Sequence, residues 1–390
     1  MVPETHRSLR AAVARIVLVL VVTAMLPACG TMYVAQAARG QWQVLRAREP
    51  IDKLIASQGT PEDLKARLTE VRAAREFASR ELGLPDNGSY RSYADIKRRF
   101  VVWNVVAAPE FSVHPQRWCF PIAGCVSYRG YFNEAKARKF ADRLASEGFD
   151  TFVGGVPAYS TLGKFQDPVL NTMLGYGDDE LAAIIFHELA HQVVYVPGDS
   201  EFNEAFATSV EQAGLERWLR LRGRESDLGR FKMRRARQAQ AVGLFARART
   251  KLADLYEEKI PPQAMRARKG EILASLDGDL AALEKKLGIR SAYRDLAPNG
   301  LNNAILASVA TYYDCVPGFE RLLASNGGDL PKFYAAVREL TRKTRAERHE
   351  LLCRGETANP PEENGSDDPE SPGDKGVGPR DTAAPSTSTQ

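Results

Sequence analysis

Helical periodicity dominates the pattern of apolar and polar positions in the body of this chain, and only a few segments depart from it. Thr60-Pro61-Glu62-Asp63 reads as a cap, a first-turn proline and two acids, with Leu64, Leu68 and Val71 following at helical spacing. Similar patterns predict helices over residues 135–144, 304–313 and 333–344. A Val-rich run at 100–107 and the segment 149–154 read as strands. Gly175-Tyr176-Gly177 predicts a turn, and Asp178, Asp179 and Glu180 then suit the positive end of a helix. Leu181, Ile184, Ile185, Phe186, Leu189 and Val193 make that helix apolar nearly all round, so it belongs in an interior, and Pro197-Gly198 ends it. Asp199 or Ser200 caps a following helix that runs to about Arg220.

From Arg217 to Arg268 the helical pattern becomes strongly basic, with Leu244, Leu252 and Leu255 as an apolar stripe. Pro261-Pro262 breaks it before a second helical stretch to Leu287. This reads as an antiparallel hairpin with solvated arginines, with anionic headgroups or acidic substrates as the functional alternative. The expected fold is therefore α+β and mainly helical, with a small sheet over the helix that starts at Asp178 and a helical hairpin beside it.

The two ends differ from the body. Arg7, Arg10 and Arg15 precede an apolar run from Ile16 to Met25 that is short for a membrane span and favours a signal peptide over residues 1–28. Leu26-Pro27-Ala28-Cys29 resembles the lipobox of bacterial lipoproteins, which makes Cys29 the expected lipidation site; an uncleaved signal anchor is the alternative. Gly30 after it, with no acid, resembles lipoproteins sent to the outer membrane, which suggests an exported protein anchored there and facing the periplasm. Residues 356–390 have no aromatic, Leu or Ile and are expected to be a disordered tail. Residues 29–355 remain as one body. Hydrophobic residues are 44% and charged residues 26% of the chain, enough for an ordinary core. The net charge of +4 selects no partner, and no nucleic-acid motif accompanies it.

The buried helix carries the chemistry. His187-Glu188-Leu189-Ala190-His191 is an H-E-x-x-H pattern, in a chain with only five histidines. Residues four apart lie roughly 40° from each other around a helix. Both imidazoles can therefore reach one Zn2+, with Glu188 placed as the catalytic base beside it. The extended three-histidine pattern is absent, because its third histidine would fall at Pro197. The tight loop to the next helix brings a carboxylate back toward the histidines. Glu204 is the chosen third ligand, with Glu211 and Asp199 as alternatives; Glu211 can instead orient a ligand imidazole. Tyr159 and Tyr128 are candidate donors to an oxyanion, against packed loop aromatics as the alternative. His114 and His349 read as structural or exposed.

Besides Cys29 there are four cysteines, which permit two disulfides in three pairings. Cys119 and Cys125 are close enough for a small loop bridge, which leaves Cys315 with Cys353; free thiols, or zinc binding by the first pair, are the alternatives, although no second Cys or His pair at metal spacing accompanies it.

Residues 118–132 (WCFPIAGCVSYRGYF), 154–163 (GGVPAYSTLG), and FHELAHQ at 186–192 with FNEAFA at 202–207 together resemble the bacterial putative aminopeptidase lipoproteins. The resemblance covers about residues 25–350. It implies a gluzincin-like zinc peptidase of zincin architecture, acting on peptides, with His187, His191 and Glu204 on zinc and Glu188 as base. No G-x-M-E-N segment of the kind some zinc aminopeptidases use to hold a free amine is present, so exopeptidase action is the weakest part of that implication. A non-catalytic lipoprotein adaptor or chaperone-like scaffold on the same fold is the alternative, and an intact Glu188 argues against it. Oligomeric state is not legible.

Overall fold

A computed structural model describes residues 28–120, 124–288, 297 and 300–353, with side chains from residue 33 onward. The leader up to residue 27 and the tail from 356 lie outside the described residues, as does the side chain of Cys29. The chain divides into two compact units, Met1–Arg46 and Ala47–Gln390. The first is described through helix α1 (Ala28–Arg46), where the Arg46 guanidinium lies 4.4 Å from the centre of the Trp42 ring.

The second unit is α+β and mainly helical. In chain order it runs β1 (Arg48–Pro50), α2 (Ile51–Ala56), α3 (Glu62–Arg80), β2 (Ser92–Ala94), β3 (Val102–Pro109), β4 (Trp118–Phe120), β5 (Gly124–Val126) and β6 (Arg129–Tyr131). Then come α4 (Glu134–Ser146), β7 (Phe149–Val156), β8 (Val169–Leu170), α5 (Asp178–Ala190), α6 (Ser200–Leu221), α7 (Glu225–Tyr256) and α8 (Pro262–Leu287). Four shorter helices close it: α9 (Asn303–Tyr313), α10 (Val316–Ser325), α11 (Leu330–Leu340) and α12 (Arg345–Leu352).

The two expected strand segments pair antiparallel as β3 and β7, in register from Val102 opposite Val156 to Pro109 opposite Phe149. With β6 on the other side of β3 they form a three-stranded sheet. A second small sheet has the order β1-β2-β8, and β4-β5 is a hairpin whose register sets Cys119 opposite Cys125. Those two cysteines are bridged, as are Cys315 and Cys353.

The sheet is not laid on the H-E-x-x-H helix as the sequence suggested. Its closest backbone neighbours are α4 and α9, whereas α5 lies closest to α6 and α3. The reason is visible in the aromatic packing: Phe77 of α3, Phe186 of α5 and Trp218 of α6 form one buried cluster that joins the three helices. Gly214 lets α5 and α6 close to this distance, since a Cβ there would lie 2.9 Å from the Phe186 ring and 2.7 Å from Leu82. On its other side α6 sets Phe202 and Phe206 against Phe319 and Phe333 of α10 and α11.

Helices α7 and α8 form the expected hairpin, closed over Phe245, Leu252, Leu255, Leu276 and Leu280 and packed on Ile305 and Val309 of α9. Much of its basic character ties elements together. Arg224 forks onto Asp179 at 2.6 and 3.0 Å, Arg235 pairs with Glu320, Arg249 with Asp314, and Arg266 with Glu110.

Candidate metal centre

Helix α5 begins with three acids, Asp178, Asp179 and Glu180, at its N-terminal turn and is buried from Leu181 to Ala190. It stops at Ala190, seven residues before Pro197-Gly198. His191 nevertheless keeps a helical backbone (φ −59°, ψ −20°), and its N–H donates to the His187 carbonyl at 3.4 Å. The i,i+4 relation therefore survives the end of the helix, and the two imidazole rings lie 4.9 Å apart.

The chain then turns back over eight residues, and the turn is fixed from three directions. Asn203 grips Val196 both ways, accepting its N–H at 2.8 Å and donating to its carbonyl at 2.9 Å. Arg117 donates to the carbonyls of both Cys125 and Gly198, which fastens the disulfide hairpin β4-β5 to the turn. Gly124 (φ +73°) sits so close that a Cβ would fall 2.5 Å from the Gly198 nitrogen, so no side chain fits there. Finally, Asp199 caps α6 by accepting from the Phe202 N–H.

One residue past Asn203, Glu204 points between the histidines. Its Oε2 is 3.3 Å from His187 Nε2 and 3.6 Å from His191 Nε2. His187, His191 and Glu204 are each 1% exposed and Glu188 is fully buried. The three donor atoms lie within 4.8 Å of one another, so this group can hold a metal ion. Two features fit such an ion. Both ring nitrogens of His191 are buried without a hydrogen-bond partner among the described residues, a costly state that coordination of Nε2 relieves. Glu211, nearly two turns beyond Glu204, accepts from Nδ1 of His187 at 2.9 Å, which turns Nε2 toward the centre.

The electrostatics ask for positive charge. Burial opposes a charge on His187, but hydrogen bonds to Glu204 and Glu211 outweigh it and push its pKa up. Burial likewise opposes a charge on Glu204, yet the two histidines pull its pKa down. His191 is pushed down by burial and stays neutral, the form a metal needs.

The other sequence candidates fall elsewhere. Asp199 is spent on Arg348 and His349, which contact its carboxylate at 2.7–2.9 Å, so it is no ligand of this centre. His349 thus has a structural partner, while His114 is exposed. Tyr128 lines a cleft of about 470 Å³ between the β6-β3-β7 sheet and α9, and none of His187, Glu188, His191 or Glu204 lines it. Tyr159 is buried with its ring edge-on to Phe132 at 5.7 Å. Sequence reasoning missed Tyr195, whose pKa burial first and then the Glu204 carboxylate push up, although its place in the loop between the two motif helices was a usable signal. It also missed Tyr90, about a hundred residues upstream, for which no sequence signal exists.

Paired helices that present two imidazoles, a carboxylate and a buried acid define a candidate metal-assisted hydrolytic centre. Residues 32–352 match the family described as "Putative aminopeptidase", and the chain belongs to that family, whose name suggests peptidase activity. No curated protein and no solved structure matches the chain.

Proposed function

We propose that the protein is a zinc-dependent peptidase of zincin-like architecture that hydrolyses peptide bonds and is exported as a membrane-anchored lipoprotein through Cys29. One observation carries the zinc reading: the convergence of His187 Nε2, His191 Nε2 and Glu204 Oε2. Donors around a tetrahedral zinc at ~2.0–2.1 Å sit about 3.3–3.4 Å apart. Glu204 Oε2 stands 3.3 and 3.6 Å from the two nitrogens. When bound, zinc supplies a Lewis acid and lowers the pKa of a coordinated water toward neutrality.

The chain's own residues do the rest. Glu211 holds the His187 ring so that its Nε2 lone pair faces the centre. Glu188, on the face of α5 that carries both histidines, accepts the proton of the attacking water and returns it to the leaving amine. Full burial keeps bulk water from its carboxylate and strengthens every charge interaction around the scissile bond. The lipoprotein leader and an outer-membrane, periplasm-facing location rest on the sequence at residues 1–30.

Wild-type protein and Glu188→Gln should each bind one zinc ion per chain, and only the wild type should cleave a peptide library. Products from free but not blocked N-termini would mark an aminopeptidase; products from both would mark an endopeptidase. If both proteins hold zinc and neither cleaves, the peptidase reading fails and the scaffold reading takes its place.

A further inference from the structure

The loop between α3 and β2 carries a tyrosine hydroxyl for which the described residues offer no hydrogen-bond partner. Arg75, 1% exposed, gathers this loop by donating from Nε to the Ser89 carbonyl at 2.8 Å and from Nη2 to the carbonyls of Pro85 and Asn87 at 2.7 and 3.1 Å. The loop is then fastened to the residue that follows ligand His191. Asn87 Nδ2 donates to Gln192 Oε1 at 2.7 Å, and Gln192 Nε2 donates to Ser89 Oγ at 3.3 Å. Tyr90 comes next, and its N–H donates to the Asp167 carbonyl at 2.6 Å.

Tyr90 bears two separate costs. Its backbone is left-handed, with φ +61°, a conformation unfavourable for a bulky side chain. The residue is 1% exposed, and its hydroxyl is buried with no hydrogen-bond partner among the described residues. A phenylalanine would satisfy the packing without the stranded donor. Burial first, and then the charge of Glu188, hold the phenol pKa well above its ordinary value, so the group stays a protonated donor beside the base. A donor so placed suits an oxygen on which negative charge develops.

We propose that Tyr90 is a catalytic residue whose hydroxyl donates a hydrogen bond to the oxygen of the carbonyl under attack beside Glu188. This rests on the peptidase reading. Tyr159, the tyrosine favoured by sequence, packs its ring edge-on to Phe132 at 5.7 Å and remains the sequence's own candidate for the same role.

The test compares wild type with Tyr90→Phe in the full-length, zinc-loaded protein by three measurements: thermal denaturation, calorimetric binding of a phosphinic peptide that mimics the tetrahedral intermediate, and peptide hydrolysis. Tyr90→Phe should melt at or above the wild-type temperature with unchanged zinc content. Its kcat should fall about 100-fold with little change in KM, and it should bind the phosphinic peptide correspondingly more weakly. A melting temperature lowered by several degrees would show that the hydroxyl has a structural partner and would overturn the proposal. Wild-type kcat and phosphinate affinity in the variant would overturn it too, while leaving the peptidase reading intact. If the wild type neither cleaves nor binds the phosphinate, the peptidase reading falls and the role of Tyr90 falls with it.

Discussion

Replacing Asp199 by Ala should lower stability by about 3–5 kcal/mol while leaving the donor set of the metal centre complete. The size follows from what the carboxylate holds. Its Oδ2 accepts two N–H groups of Arg348 at 2.9 and 2.7 Å, and its Oδ1 contacts His349 Nε2 at 2.7 Å. Asp199 is 1% and Arg348 5% exposed, so truncation strands a guanidinium in the interior. Removing one partner of a buried pair typically costs about 3–5 kcal/mol, and the lost cap on α6 is worth about 1 more, not fully additive because one carboxylate serves both. Burial pushes the Asp199 pKa up, but His349 and Arg348 outweigh it, so the net shift is downward. The stability this carboxylate contributes is therefore present above the ordinary carboxylate pKa and is lost as pH falls through its depressed value. Urea denaturation followed by tryptophan fluorescence gives the loss, and metal analysis of the folded fraction gives the zinc content. Asp199→Asn, which keeps an acceptor, provides a milder variant should the Ala form not fold. Loss of bound zinc with stability within about 1 kcal/mol of wild type would refute the structural role and make Asp199 a ligand.

Glu211→Ala removes the partner of His187 Nδ1. It should weaken zinc about 10–100-fold in competition with a chelating dye, and an unchanged affinity would show that the imidazole needs no such support. Gly214→Ala places a methyl group 2.9 Å from the Phe186 ring and should lower stability by about 1–3 kcal/mol; wild-type stability would show that α5 and α6 can part freely. Burial raises the Asp167 pKa to about 6, against the hydrogen bonds from Thr161 that lower it. Its protonated form therefore stabilises the fold below the ordinary value of 3.8, and that contribution disappears as pH rises through about 6. Relative to Asp167→Asn, the wild type should lose about 2 kcal/mol between pH 4 and pH 7, measured as denaturation midpoints at each pH; a constant difference would rule out a buried, titrating Asp167.

The parts of this protein that could be read from sequence are those whose partners lie nearby in the chain. His187, Glu204 and Glu211 fall within two adjoining helices and His191 directly follows the first, so helical geometry and one short turn are enough to bring them together. The α7–α8 hairpin is announced by Pro261-Pro262 and its apolar stripe. Asp199 was ambiguous because the residues that claim it, Arg348 and His349, are about 150 positions away. The arginines of α7 read as solvated for the same reason, since Glu320 and Asp314 come from α10 and the end of α9. Strands β1, β2, β4, β5 and β6 have three residues each, too few to show any pattern, and only the longer β3 and β7 were legible. The expected contact between sheet and H-E-x-x-H helix failed on three scattered aromatics, Phe77, Phe186 and Trp218, whose meeting no local pattern foretells.

The nearness of the donors has a consequence for how the protein acquires its fold. Only 16 residues separate His187 from Glu204, so drawing their side chains onto one ion closes a short loop at small entropic cost. An ion met during folding can therefore cross-link the nascent α5–α6 pair before the sheet, which is built from contacts distant in sequence, has assembled. Unfolding should run in the reverse order: the sheet melts while the metal-bound helix pair persists, and the ion leaves last.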